Sequence, residues 1–102
     1  MSGGSYNFKN LTALVVDDHA SIRHAISRIA TSLGFGEVLQ AHNGQYAIDA
    51  VEQNKVDLIF LDLYMHHKTG FEVLMHVRNM DYRSDIPVII VTGEGSKEDI
   101  VK

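Results

Sequence analysis

Cysteine is absent from the chain, and with it go any disulfide framework and any thiolate metal site. That absence suits a reducing compartment, and a cytoplasmic location is the expectation. No apolar run approaches the roughly 20 residues needed to span a bilayer, so no membrane segment is expected. Basic residues are outnumbered, 9 Lys and Arg against 13 Asp and Glu for a net charge of -4, which argues against a surface that grips a phosphate backbone. Direct nucleic-acid binding is therefore not expected of this chain. Residues 1–10 contain neither an apolar signal core nor an Arg-rich amphipathic pattern; their Ser and Gly content reads as a flexible leader. What is present from residue 11 to residue 102 has the balance of one globular domain, in a chain that is 45% hydrophobic and 22% charged.

Short apolar runs alternate with longer stretches of helical period. Residues 13–16, Ala-Leu-Val-Val, lack polar alternation and read as a strand covered on both faces. Ile22, Ile26, Ile29 and Leu33 then fall at i, i+4, i+7 and i+11, one stripe of an amphipathic helix expected to face the core, with Gly34 as its stop. Residues 37–41 read as a second strand, and Ala47, Ala50 and Val51 line a smaller helix ending near Asn54. Residues 56–61 form the strongest strand and run into Asp62. After a loop closed by Gly70, a third helix places Phe71, Leu74 and Val77 or Arg78 near one face. Residues 87–91 read as a fourth buried strand whose first residue, Pro87, is the only proline, at a position where a missing ladder donor is tolerated. A fourth helix is expected to begin near Ser96.

Strands alternating with helices imply a doubly wound parallel sheet, because parallel neighbours need crossover connections. Ligands in such sheets bind outside the carboxyl ends of the strands. The residues placed there are Asp17 and Asp18, then Asp62, then Thr92. Two carboxylates about 4 Å apart repel by roughly 4 kcal/mol at an effective dielectric near 20, so a bound cation is the simplest way to hold the cluster together. All-oxygen ligands favour a hard ion, and Mg2+ takes one or two carboxylates together with waters and a substrate phosphate. Phosphoryl transfer to a carboxylate fits that set.

These residues resemble the receiver domains of two-component response regulators, including the chemotaxis regulators, over nearly all the chain from Leu11. Asp17 and Asp18 are similar to the family's acidic pair, Asp62 with Gly70 eight positions later to its phosphorylation loop, and Thr92 with Gly93 to its switch. The resemblance implies a flavodoxin-like fold with strand order 2-1-3-4-5. It implies Asp62 as phosphoacceptor, Thr92 as phosphoryl contact and switch, and Mg2+ held by Asp17, Asp18, Asp62 and the backbone carbonyl of Tyr64. A sensor histidine kinase or phosphotransfer protein would supply the phosphoryl group, and an output domain or effector would read it. The chain would be a signalling domain that assists its own phosphorylation and dephosphorylation rather than an enzyme acting on a separate substrate. His66, where the family often has proline, departs from the pattern. No fifth strand with its lysine, and no fifth helix, follows the fourth strand in these 102 residues, so the domain reads as shortened at its C-terminal end. Self-association through the exposed fourth strand is then expected.

Competing readings are narrower. The Asp17 and Asp18 pair could cap a helix, and His66 with His67 could suggest a transition-metal site. The stretch from Gly93 to Lys97 has the wrong order for a phosphate-binding loop. A receiver-like interaction module that never uses phosphate is the alternative function. A phosphatase of the haloacid dehalogenase type would need a second Asp where Tyr64 stands.

Overall fold

The computed structural model describes residues 8–65, 69–81 and 83–91. Its elements follow in the order β1 (Thr12–Val16), α1 (Ala20–Ser32), β2 (Glu37–Ala41), α2 (Gly44–Gln53), β3 (Leu58–Leu61), α3 (Gly70–Arg78) and β4 (Val88–Ile90). The four strands are parallel in the order β2-β1-β3-β4, the doubly wound flavodoxin-like arrangement expected from the alternation. In register, Val16 of β1 lies opposite both Ala41 of β2 and Leu61 of β3, so the residues after all three strands emerge at one edge.

The continuous apolar strands have the cause that parallel sheets usually have, which is cover on both faces. On one face Leu14, Val16, Ile59 and Leu61 pack with Ala47, Ile48 and Val51 of α2 and Val73 and Val77 of α3. On the other, Ala13, Val15 and Phe60 meet Ala30 of α1 and Phe35. Phe8 belongs to this second cluster: its ring stacks on Phe35 with centroids 5.0 Å apart, and its carbonyl accepts the Gly36 N–H. The stretch read as a leader therefore meets the folded domain at Phe8.

Helix α1 has the expected extent but a different buried face. Ser27 and Ala30 are buried, whereas Ile29 is 57% exposed and Leu33 is also exposed. Small side chains let the helix approach the sheet closely, and Ile26 packs only at the margin. Gly34 ends the helix with a φ of 103°, a conformation that a side chain would strain.

In α3 the expected face is partly rotated. Val77 is buried as expected and Leu74 is half-buried, but Val73 is buried in place of Phe71, which is 52% exposed. Thr69 caps the helix: its hydroxyl accepts the Glu72 N–H while the Glu72 carboxylate accepts the Thr69 N–H, a reciprocal capping box. Around β4, Val88 packs on one face and Val91 on the other, but Ile89 and Ile90 are exposed, so among the described residues the cover that the sequence suggested is incomplete.

The amino end of the sheet is fastened by polar groups. The Asp57 carboxylate accepts the Thr12 N–H at 2.9 Å and lies 3.4 Å from the Arg83 guanidinium, which also donates to the Val56 carbonyl. Arg78 donates to the carbonyls of Ser84 and Ile86, tying the segment before β4 to α3.

Candidate functional site

Backbone pairing brings the site together. Asp17 continues β1 by donating its N–H to the Ala41 carbonyl, and Asp62 continues β3 by donating to the Val16 carbonyl. Each chain leaves the sheet at that point with its carboxylate at the carboxyl edge. Asp17 and Asp62 are each only 1% exposed, among the largest fully buried side chains of the domain, and Asp18 is half-buried beside them. Two buried carboxylates at one spot carry a desolvation cost that an apolar core would not impose.

One oxygen from each of Asp17, Asp18 and Asp62 and one ring nitrogen of His19 lie within 4.8 Å of one another. His19 was not picked out from the sequence. A polar residue in a loop has no periodicity to betray it, and its role shows only in space. Its Nδ1 lies 3.2 Å from Asp17 Oδ1 and 3.0 Å from Asp18 Oδ1, and its N–H donates to Asp17 Oδ1 at 2.8 Å. Burial pushes the Asp62 carboxyl above the usual carboxylate range; the charges of Asp17 and Asp18 add to the rise, while the Tyr64 N–H and His19 oppose it.

The helix-cap reading of the acidic pair does not describe this geometry. The N-cap of α1 is His19, with no side-chain cap bond, and Asp17 folds back to its own turn. Arg23 steadies that turn by donating to the Asp17 carbonyl at 2.9 Å while its Nε reaches Gln40.

The loop after β3 is shaped by Gly70. A Cβ there would stand 2.2 Å from the Asp62 carbonyl oxygen and 2.6 Å from Leu63 Cα, so only glycine lets the start of α3 pass so near the Asp62 backbone. The Gly70 N–H closes the loop on the Leu63 carbonyl. Within it the Tyr64 N–H donates to Asp62 Oδ1 at 3.0 Å, and the Tyr64 ring meets Phe71 edge-on, centroids 6.3 Å apart. Thus Asp17, Asp18 and Asp62 lie together, and the Tyr64 backbone meets Asp62 through its N–H. Thr92 lies outside the described residues, as do His66, His67 and the stretch from Gly93 onward; Val91, just before Thr92, donates its N–H to the Leu61 carbonyl.

The donor set suits a hard divalent cation: three carboxylates, two of them buried, whose mutual repulsion such an ion would relieve. Among the described residues no helix is long and apolar enough to cross a membrane.

The chain is similar to known proteins in sequence and in fold. The family profile of the response regulator receiver domain matches residues 13–102. The chain is 36% identical over 89 residues to a chemotaxis protein CheY homolog of Campylobacter jejuni, covering 86% of this chain and 68% of that protein. It is 36% identical over 91 residues to the transcriptional regulatory protein YvrH of Bacillus subtilis, covering 89% of this chain and only 37% of that longer protein. Among solved structures, a response regulator receiver protein from Pseudomonas putida superposes with a TM-score of 0.75 at 27% identity, over 90% of this chain and 75% of that one. Response regulator protein TrrA of Thermotoga maritima, in complex with Mg2+ and BeF, gives 0.69 at 25% identity, over 90% and 97%. With the family profile matching residues 13–102 and a 36% identical relative covered over 68% of its length, the chain belongs to the response regulator receiver domain family.

Proposed function

We propose that this domain receives a phosphoryl group on Asp62, with Mg2+ held by Asp17, Asp18, Asp62 and the Tyr64 carbonyl. The observation that carries the proposal is the gathering of three carboxylates within 4.8 Å, two of them buried. The Mg2+ in the TrrA complex supports it by similarity. Mg2+ here would offset the negative charge of the incoming phosphoryl oxygens.

The chain's own residues do the rest. The Tyr64 N–H holds Asp62 Oδ1, leaving the second oxygen to attack phosphorus in line. A P–O bond to Asp62 forms as the bond to the donor's imidazole nitrogen breaks, and the imidazole takes up a proton. Thr92 contacts the phosphoryl group and couples it to the switch. The donor is a sensor histidine kinase or phosphotransfer protein in the cytoplasm, and an output domain or effector reads the result. The domain acts on no separate substrate. Along the outer side of β4, which pairs with no other strand among the described residues, a second copy of this chain pairs, its exposed Ile89 and Ile90 meeting their counterparts.

The test is a Mg2+ titration followed by backbone chemical shifts, then addition of a small acyl phosphate donor. Shifts centred on residues 17, 18 and 62, lost in Asp18→Ala, and a mass gain of one phosphoryl group, lost in Asp62→Asn, are expected. Shifts confined elsewhere, or metal binding without phosphorylation, would overturn the phosphoryl reading and leave the interaction module.

A further inference from the structure

We infer that His19 is a nitrogen ligand to the cation, and that it shifts the preference of the site from Mg2+ toward borderline divalent ions such as Co2+. The inference rests on the metal-site reading above and concerns a residue outside the all-oxygen set.

Spacing carries it. In an octahedral complex with metal–ligand bonds of about 2.1 Å, adjacent donors stand about 3.0 Å apart, the bond length multiplied by the square root of two. His19 Nδ1 stands 3.0 Å from Asp18 Oδ1 and 3.2 Å from Asp17 Oδ1. Those lengths match two edges of an octahedral face, so an ion on Asp17 and Asp18 finds the imidazole already beside it. The ring is held from its own backbone, because the His19 N–H is bonded to Asp17 Oδ1. Its side chain is 58% exposed, so no core packing prevents the small rotation that a bond would need. Chemistry then decides which ions gain. Mg2+ takes oxygen donors and keeps its waters, so a neighbouring imidazole adds little; Co2+ and its neighbours bind imidazole well and rank above the harder ions at mixed N and O sites.

Calorimetric titration of the 102-residue protein with MgCl2 and with CoCl2 tests this in five proteins: wild type, His19→Ala, His19→Gln, Asp18→Asn and the double His19→Ala, Asp18→Asn variant. His19→Ala is expected to weaken Co2+ binding about tenfold while changing Mg2+ binding less than about twofold. In the Asp18→Asn background the His19 substitution is expected to change nothing, which separates this site from the chain's other histidines. His19→Gln, which keeps length but offers oxygen, should follow His19→Ala for Co2+. Equal losses for both ions would show that His19 only positions the aspartates, and unchanged Co2+ binding would show that it is no ligand; either overturns the inference. Mg2+ binding that survives Asp18→Asn intact would instead sink the underlying metal site. In a Co2+ complex, paramagnetic broadening of the His19 ring protons ahead of those of His24, His42 and His76 gives an independent readout.

Discussion

At Asp62 the cost of the site is concentrated in a single group. Its carboxyl is raised above the usual range by burial and by Asp17 and Asp18, so the folded chain keeps a proton that the unfolded chain has released. The sign follows from linkage: stability falls as pH rises through the interval between the ordinary and the raised value, and the loss is complete above it. Replacing Asp62 with Asn removes the ionisable group. In the presence of a chelator, urea midpoints of Asp62→Asn and wild type should draw apart as the pH rises above the ordinary aspartate value of about 4, with the variant the more stable at the upper end. A constant gap would refute the burial argument. Two residues on, the Tyr64 ring is braced by Phe71, and beside an acyl phosphate on Asp62 it would restrict attacking water. Tyr64→Asn is expected to speed hydrolysis of the phosphorylated protein, followed as decay of the phosphorylated mass, several-fold, on the order of 1 kcal/mol in the barrier. An unchanged or slower decay would remove the steric explanation.

Among the elements, the helices show what periodicity can and cannot tell. The Ile22 stripe located α1 correctly, since spacing at 3.6 residues is a property of the chain alone. Which side of the stripe meets the sheet depends on how closely two backbones approach, and there Ser27 and Ala30 outcompete larger neighbours. Phe71 misleads for the same reason: it is apolar and in phase, yet it packs on the Tyr64 loop and not under the sheet. The acidic edge was legible because every strand ends at it, whereas His19 and Arg83 act through folded contacts that leave no pattern in the sequence. Truncation energies should follow the observed faces. Val73→Ala is expected to cost about 2 kcal/mol and Ile29→Ala well under about 1 kcal/mol by urea denaturation, the reverse of the order that the stripe alone implies. Thr69→Ala, which breaks the capping box of α3, is expected to cost about 1 kcal/mol and to loosen the loop that carries Asp62.

For the whole molecule, the two sheet faces are unequally covered: α2 and α3 share one, and among the described residues α1 alone lies on the other. With β4 at the edge of the described sheet, sedimentation over a wide concentration range should show a dimer, and substituting Ile89 by Lys should disperse it. A compact monomer of the unaltered chain at high concentration would end that proposal. The parallel arrangement has a further consequence, in time. Thr12 and Asp57 meet across 45 positions of sequence, and the same pairing of β1 with β3 brings Asp17 to Asp62. Closing so long a loop is slow, and until it closes the aspartates are strangers to one another. A cation with no place to bind before that moment cannot hurry the chain toward its native form. Bound at the proposed site, it would act only afterwards, as a latch, lengthening the time that the assembled domain survives.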